Sequence, residues 1–297
     1  MIDTGIVVVN WNTCELLRRC LQTVFASEGV IFRVVVVDNN SPDDSVAMVR
    51  REFPQAELIA NSKNAGYSHA NNDGLRLLGF GMPSDENAPR YALILNPDTE
   101  IPPDALAKMV DYMDRDASVG AAGPKLVLPD GSLDLACRRS FPTPMISFYR
   151  MSGLSKLFPG SRIFGQYNLT YLDPDEETEV DSVVGAFMMV RKEVIDSVGL
   201  LDETYFMYGE DLDWAFRIKQ GGWRIKYNPA ITVLHVKRAA SRKNKTAQQE
   251  FHRASLMFYR MHYRKTTPLP MHWLVLLGLL LKGGRMVWNE IWNPSHP

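Results

Sequence analysis

Unbroken apolar runs at Ile6–Val9, Arg33–Val37 and Tyr91–Leu95 constrain this chain more than any other feature. Each is short, and none shows the polar alternation of a strand with one wet face. Strands of that kind are covered on both sides, as in a parallel sheet held between helices. The segments between them have helical character. Glu15–Ser27 places Leu16, Leu17, Cys20, Leu21 and Val24 on one side. Asp43–Phe53 follows a candidate N-cap at Ser41, and Ser68–Leu78 follows a glycine turn at Asn64-Ala65-Gly66. Pro103–Arg115 carries proline near its first turn. With Glu57–Ile59 as a further strand, the order is β-α-β-α-β-α-β-α. It predicts an α/β fold with a mostly parallel central sheet and helices on both faces. Further on, Val119–Leu128, Phe164–Tyr171 and Val180–Val190 read as strands joined by longer loops, with Leu135–Gly165 irregular.

The polar residues after these runs carry the chemistry, because open α/β sheets bind ligands at the C-terminal ends of their strands. Asp38 ends the second run in Val37-Asp38-Asn39-Asn40-Ser41, where its carboxylate can accept from a ring N–H of uracil or thymine or cap a helix. Asn64 and Gly66 sit in a turn whose backbone amides can meet phosphate or ribose oxygens, or in a plain turn. Asn96-Pro97-Asp98 follows the Tyr91–Leu95 run. Asp98 is suited to a hard divalent cation, which prefers oxygen ligands and takes one or two carboxylates plus substrate phosphates. Such a cation, Mg²⁺ or Mn²⁺, eases departure of a diphosphate. His235, at the end of Ile231–His235, can add a metal ligand, contact the diphosphate, or serve the structure only. Glu210-Asp211 opens a helix-like run through Ile218, where acids suit the helix dipole and can also act as a general base. Asp211 is the candidate base and Glu210 the residue that binds acceptor hydroxyls or orients it.

The chain has 297 residues, 45% of them hydrophobic, enough for one large domain or two smaller ones. Its net charge of −1 hides an asymmetry. Residues 236–297 hold 11 Lys/Arg against 2 Asp/Glu, and residues 1–235 hold 22 against 32. The basic tail therefore predicts an anionic surface as partner. Within it, Trp273–Leu281 would span only roughly 14 Å as a helix, about half a bilayer core. Trp273, Leu276, Leu277, Leu280, Val287, Trp288 and Ile291 share one arc of a helical wheel, with Lys282, Arg285 and Asn289 opposite. That pattern suits an interfacial helix or an ordinary helix docked on the core or in a dimer interface, and the basic run Lys237–Lys245 favours the membrane. Cys14, Cys20 and Cys137 form no CxxC pair, and the N-terminus has no basic n-region. Both fit a cytoplasmic protein, peripheral on the inner face of the membrane.

Taken in order, several segments resemble the family 2 glycosyltransferases, with the GT-A fold, and especially their rhamnosyltransferase-like branch. They are Val7–Asn12, Val37–Ser41, Asn64–Tyr67 with Asn71-Asn72, Leu95–Asp98, Gly185–Arg191, Gly199–Glu203, Phe206–Asp213 and Val233–His235. The resemblance runs from Ile6 to about Ser241. It implies inverting transfer of a sugar from a nucleoside diphosphate sugar, with deoxythymidine diphosphate rhamnose the expected donor. Asn10, Asp38, Asn64, Gly66, Asn96, Asp98, Gly185 and Ala186 would contact the donor. Asp98 and His235 would hold the metal, and Asp211, with Glu210, would deprotonate the acceptor. Asn96 stands where the family's metal motif often has Asp. The expected organisation is a catalytic domain over 1–235, with a donor half to about 100 and an acceptor half from about 101, followed by a membrane-associating tail over 236–297.

The expected acceptor is a lipid-linked saccharide or glycan, and no nucleic acid partner is expected. Two other classes stay in view: a membrane-docked scaffold that binds nucleotide sugars without turnover, and a nucleotidyltransferase. The latter lacks its Gly-rich, basic loop, since Asn10–Glu15 has neither Gly nor Lys. A dehydrogenase is disfavoured because no G-x-G-x-x-G follows the first run.

Overall fold

The computed structural model describes residues 1–81, 88–236 and 245–294. The apolar runs form β1 (Thr4–Asn10), β2 (Phe32–Asp38) and β4 (Tyr91–Leu95), with β3 (Glu57–Ala60) at the edge. Between them lie α1 (Cys14–Phe25), α2 (Ser45–Glu52) and α3 (Tyr67–Leu77). Every residue of β1 and β4 is buried, which explains their lack of alternation. All pairs among β1 to β4 are parallel.

The second half departs from the parallel pattern. It comprises β5 (Thr99–Glu100), α4 (Ala105–Asp114), β6 (Val119–Val127), α5 (Pro144–Met151), α6 (Leu154–Leu157), β7 (Thr178–Val180), β8 (Phe187–Arg191), α7 (Lys192–Val198), α8 (Glu210–Gln220) and β9 (Arg224–His235). The sheet runs β3-β2-β1-β4-β8-β6-β9-β5, with β7 also on β9. β8 enters antiparallel between β4 and β6, while β6 and β9 pair in parallel. The result is a mixed α/β sheet flanked by helices, as expected in class and less uniformly parallel than the first half alone suggests.

Register delivers the polar strand ends to one edge. Asn10 pairs with Asp38 across β1 and β2, and Val8 pairs with Leu95, just before Asn96-Pro97-Asp98. On the far side, Thr99 pairs with His235.

Four local expectations are corrected. Leu135–Gly165 is not irregular throughout, because α5 and α6 lie within it, the first opened by the Thr143 side chain accepting from Ile146 N. Ser41 does not cap α2: Asp44 holds that position, and Ser41 Oγ accepts from Asn10 Nδ2 (3.1 Å) and Asn12 N (2.8 Å). Phe164–Tyr171 is a series of turns. Gly165 N donates to Ser161 O, and Leu169 takes a φ of 50°, which breaks any extended run. Val180–Val190 divides into β7 and β8 around a loop, whose Gly185 amide turns toward Asp211 instead of a neighbouring strand.

The tail is a helical pair, Lys245–His262 and Leu269–Trp292. The second is two helices in sequence, because Gly284 (φ 55°, ψ −133°) interrupts it. No side chain fits easily there, since a residue at φ > 0 favours glycine. The single apolar arc read from the sequence is therefore split. Leu276 and Val287 pack against Leu256 and Tyr259 of the first helix. Trp273, Leu277 and Trp288 face outward with Leu274, Leu281 and Trp292. Among the described residues, no helix is long and apolar enough to cross a membrane. Most of the basic run from Lys237 lies outside the described residues.

Candidate active site

Asn10 and Asp38 form the first corner of the site. Both are buried, and Asn10 Nδ2 donates to Asp38 Oδ2 at 2.8 Å. Ser41 N donates to the other Asp38 oxygen at 2.8 Å. The carboxylate is thus fixed in direction by its own strand-end loop. Next to it, Asn39 Nδ2 donates to Gly66 O at 3.0 Å.

Of the amides in and after the Asn64–Gly66 turn, two are taken up within the protein. Gly66 N donates to the Asn64 side chain (3.0 Å), and Tyr67 N donates to Phe206 O (2.6 Å). Glycine is required at 66 for another reason. Its φ is 99°, and a Cβ there would lie 2.7 Å from Phe206 O. Asn64 itself is exposed.

Tyr67 joins the corner to the centre. Its hydroxyl lies 2.8 Å from Asn96 Oδ1 and 3.2 Å from Gly185 O. Asn96 N donates to Ala186 O at 3.0 Å, locking the strand-end loop of β4 to the loop before β8. Gly185 N then donates to Asp211 Oδ2 at 3.1 Å. A connected path of hydrogen bonds therefore runs from Asn39 to Asp211 through Gly66, Tyr67 and Gly185.

At its end, Asp211 accepts from Arg139 Nη2 (2.7 Å), Gly185 N and its neighbour Leu212 N (2.8 Å). A carboxylate has about four acceptor positions, so one remains for a substrate hydroxyl. Arg139 is 7% exposed and also approaches Ser182 Oγ and Val183 O. Burial works against its charge, but Asp211 outweighs that and keeps the guanidinium firmly protonated. Glu210 has the opposite environment. Burial, then the adjacent Asp211 charge, push its carboxyl up to about 8. Its Oε2 is buried with no hydrogen-bond partner among the described residues, a cost usually relieved by water or a ligand. At neutral pH the pair thus holds a protonated Glu210 beside Asp211. Burial and the charges of Glu210, Asp211 and Asp98 also raise the Tyr67 phenol, which stays neutral.

Asp98 and His235 make a third group. His235 Nε2 is 3.2 Å from Asp98 Oδ1, and Nδ1 is 2.8 Å from Asp134 Oδ2. Burial opposes a charged ring here, but the two carboxylates outweigh it and raise the imidazole above its ordinary value. Among the described residues, no group of three or more His, Cys, Asp or Glu side chains is arranged to hold a metal alone. The donor set still fits a light clamp. A carboxylate holding Nδ1 aims Nε2 at the point that Asp98 faces, the usual support of a metal-binding imidazole. A diphosphate would supply the remaining oxygens.

Sequence patterns missed Arg139, Asp134 and the bridging role of Tyr67. Arg139 and Asp134 lie in or beside a stretch with no regular spacing, and nothing along the chain ties them to residues 72 and 101 positions away. Tyr67, by contrast, adjoins Gly66 and was within reach.

Comparison with known proteins gives the family and the fold. The family model "Glycosyl transferase family 2" matches residues 5–199, and the chain belongs to that family. Glu210, Asp211 and His235 lie beyond the matched span. The chain is 27% identical, over 96% of its length and 93% of the relative, to an N-acetylglucosaminyl-diphospho-decaprenol L-rhamnosyltransferase of Mycobacterium tuberculosis. It is 27% identical to rhamnosyltransferase WbbL of Escherichia coli K12, over 77% of this chain and 82% of that one. Among solved structures, a mannosyltransferase of Pyrobaculum calidifontis in complex with GDP-Man and Mn²⁺ superposes with a TM-score of 0.60 at 15% identity, covering 98% of this chain and 76% of that one. The protein is a glycosyltransferase with a GT-A-like fold.

Proposed function

We propose that the protein is an inverting, metal-dependent glycosyltransferase of cell-surface glycan synthesis, moving a sugar from a nucleoside diphosphate donor to a lipid-linked acceptor. The observation that carries this reading is the buried Glu210–Asp211 pair, which meets the donor-side residues through Gly185 and Tyr67. Rhamnose, from deoxythymidine diphosphate rhamnose, is the proposed sugar. It is supported by the names of relatives that are rhamnosyltransferases at 27% identity.

In this reading Asp38 accepts from the base of the nucleotide, and Gly185 and Ala186 leave room beside the donor sugar. Asp98 and His235 would hold Mg²⁺ or Mn²⁺, which when bound supplies charge neutralisation at the leaving diphosphate. Asp211 takes the proton of the acceptor hydroxyl. The hydroxyl oxygen bonds to the anomeric carbon, and the bond to the diphosphate breaks on the opposite face, carrying its electron pair away. Protonated Glu210 donates a hydrogen bond to an acceptor oxygen and so orients the nucleophile. Residues 1–235 form the catalytic unit, and the exposed Trp and Leu side chains of the tail meet an anionic membrane face.

Calorimetry with deoxythymidine, uridine and guanosine diphosphate sugars, with Mg²⁺ and after chelation, tests the donor half. Metal-dependent binding of one donor supports the reading, and NMR of the product then fixes the stereochemistry. Binding of none up to millimolar concentration, with or without a lipid-linked acceptor, would leave the nucleotide-sugar reading without its substrate.

A further inference from the structure

A cavity of about 620 Å³ opens between α5, the two tail helices and the start of α8. That volume lies within the roughly 300–1,000 Å³ of small-molecule sites. Its walls are largely apolar, including Phe148, Met151, Phe251, Phe258 and Leu277. Its charge is one-sided. Arg150, Lys156 and Lys282 line it, and among the described residues no Asp or Glu does. None of the three makes an ion pair among the described residues. Arg150 instead stacks over the rings of Tyr167 (4.3 Å) and Phe251 (5.3 Å), and Lys282 Nζ reaches only Met151 O at 3.4 Å. Burial, then the charges of Lys282 and Arg150, depress His252 on the same wall, so the positive charge converges.

The cavity also borders the helix that bears the proposed catalytic pair, although neither Glu210 nor Asp211 lines it. Gly209 and Leu212 line it and flank Glu210 and Asp211 in the chain. Tyr167 lines it too, and lies beside Arg139, which grips Asp211. An apolar chamber with a cationic corner, bordering the helix of the proposed base, fits an amphiphile with a long hydrocarbon chain and a phosphate head.

We propose that this cavity seats the lipid of the acceptor, a long-chain lipid diphosphate, with Arg150, Lys156 and Lys282 on its phosphates and the apolar walls around the first part of its chain. The proposal rests on the reading of Glu210–Asp211 as the pair that activates the acceptor. It gives the tail a role in substrate binding distinct from membrane attachment.

The test uses the full-length chain with its donor site saturated by nucleoside diphosphate. Farnesyl diphosphate, farnesol and pyrophosphate are titrated separately by calorimetry. Farnesyl diphosphate is expected to bind at least tenfold more tightly than either fragment. The Arg150→Ala, Lys282→Ala double variant should lose about tenfold for farnesyl diphosphate and little for farnesol. Ser255→Trp, which fills the chamber, should weaken both. Nucleoside diphosphate affinity should stay within twofold in all variants and thereby report their folding. Farnesyl diphosphate binding no tighter than pyrophosphate, or insensitive to both variants, overturns the proposal. Equal displacement by phosphatidylglycerol also overturns it, making the cavity a seat for bulk lipid. If farnesyl diphosphate binds as expected while no nucleoside diphosphate binds, the cavity stands and the donor reading falls.

Discussion

Arg139 lies 2.7 Å from Asp211 across 72 positions of sequence, and both side chains are nearly sealed from solvent. The ion pair fixes one oxygen of the proposed base and leaves the other to a backbone amide and the acceptor. Asp211→Asn keeps most of this hydrogen bonding and removes the proton acceptor. Donor binding should stay within about twofold, while turnover falls by roughly 10²–10⁴. Comparable turnover, measured by product formation under saturating donor, would remove Asp211 from the mechanism.

Removing Arg139 has a different expected signature. Breaking a buried pair strands a charge, at a cost of roughly 3–5 kcal/mol. Urea denaturation of Arg139→Ala should show a loss of that order. The Arg139→Ala, Asp211→Ala double variant should recover part of it, since neither charge is then left alone.

Glu210 sets a pH dependence of opposite sign to that of an ordinary surface acid. Its carboxyl is raised from 4.5 to about 8 in the fold. The unfolded chain releases this proton first, so the group's contribution is fully present below about 4.5 and is lost as pH rises toward 8. Glu210→Gln cannot ionise and escapes that loss. Thermal melts should match the parent near pH 4.5, then exceed it increasingly up to pH 8, by about 2–4 °C for each kcal/mol recovered. A constant offset across pH would show that Glu210 does not titrate in this window.

Asp134 offers a test of the metal clamp that spares the ligands themselves. Its hydrogen bond to His235 Nδ1 orients the ring. Asp134→Asn should weaken Mn²⁺ affinity by roughly 10–100-fold, with nucleotide binding in chelator unchanged. Equal Mn²⁺ affinity, read by calorimetry, would separate His235 from the metal.

The outward face of the tail predicts lipid binding. Trp273, Trp288 and Trp292 are each more than half exposed. Replacing all three with Ser should leave the packed face of Leu276 and Val287 intact and lower binding to anionic vesicles in sedimentation. Undiminished sedimentation would assign that face to a protein partner.

The first half of the fold was legible because its signals are local. β1, β2 and β4 are buried on both faces, and unbroken Val and Ile runs have few other homes. The strand-end acids Asp38 and Asp98 could be read for the same reason. The second half depends on contacts between distant segments. The β8 strand enters the sheet in reverse, between β4 and β6, and no pattern within Phe187–Arg191 encodes that direction. Phe164–Tyr171 misled because aromatic and aliphatic residues fill a buried turn as well as they fill a strand. Arg139 was hidden for the plainest reason. A charge that is buried by its partner looks, in sequence, like any surface arginine.

One contact outside the site alters how the tail should be regarded. His262 Nε2 meets the fully buried Asp213 at 2.8 Å, and Asp213 also holds Arg217 on α8. The helix that bears Glu210 and Asp211 is thus braced by a residue from the far end of the chain. Trimming the protein after β9 would cut a strut from the helix of the proposed base along with any anchor. Any load that the tail takes up is passed, in part through this imidazole, to a point two residues from the proposed base.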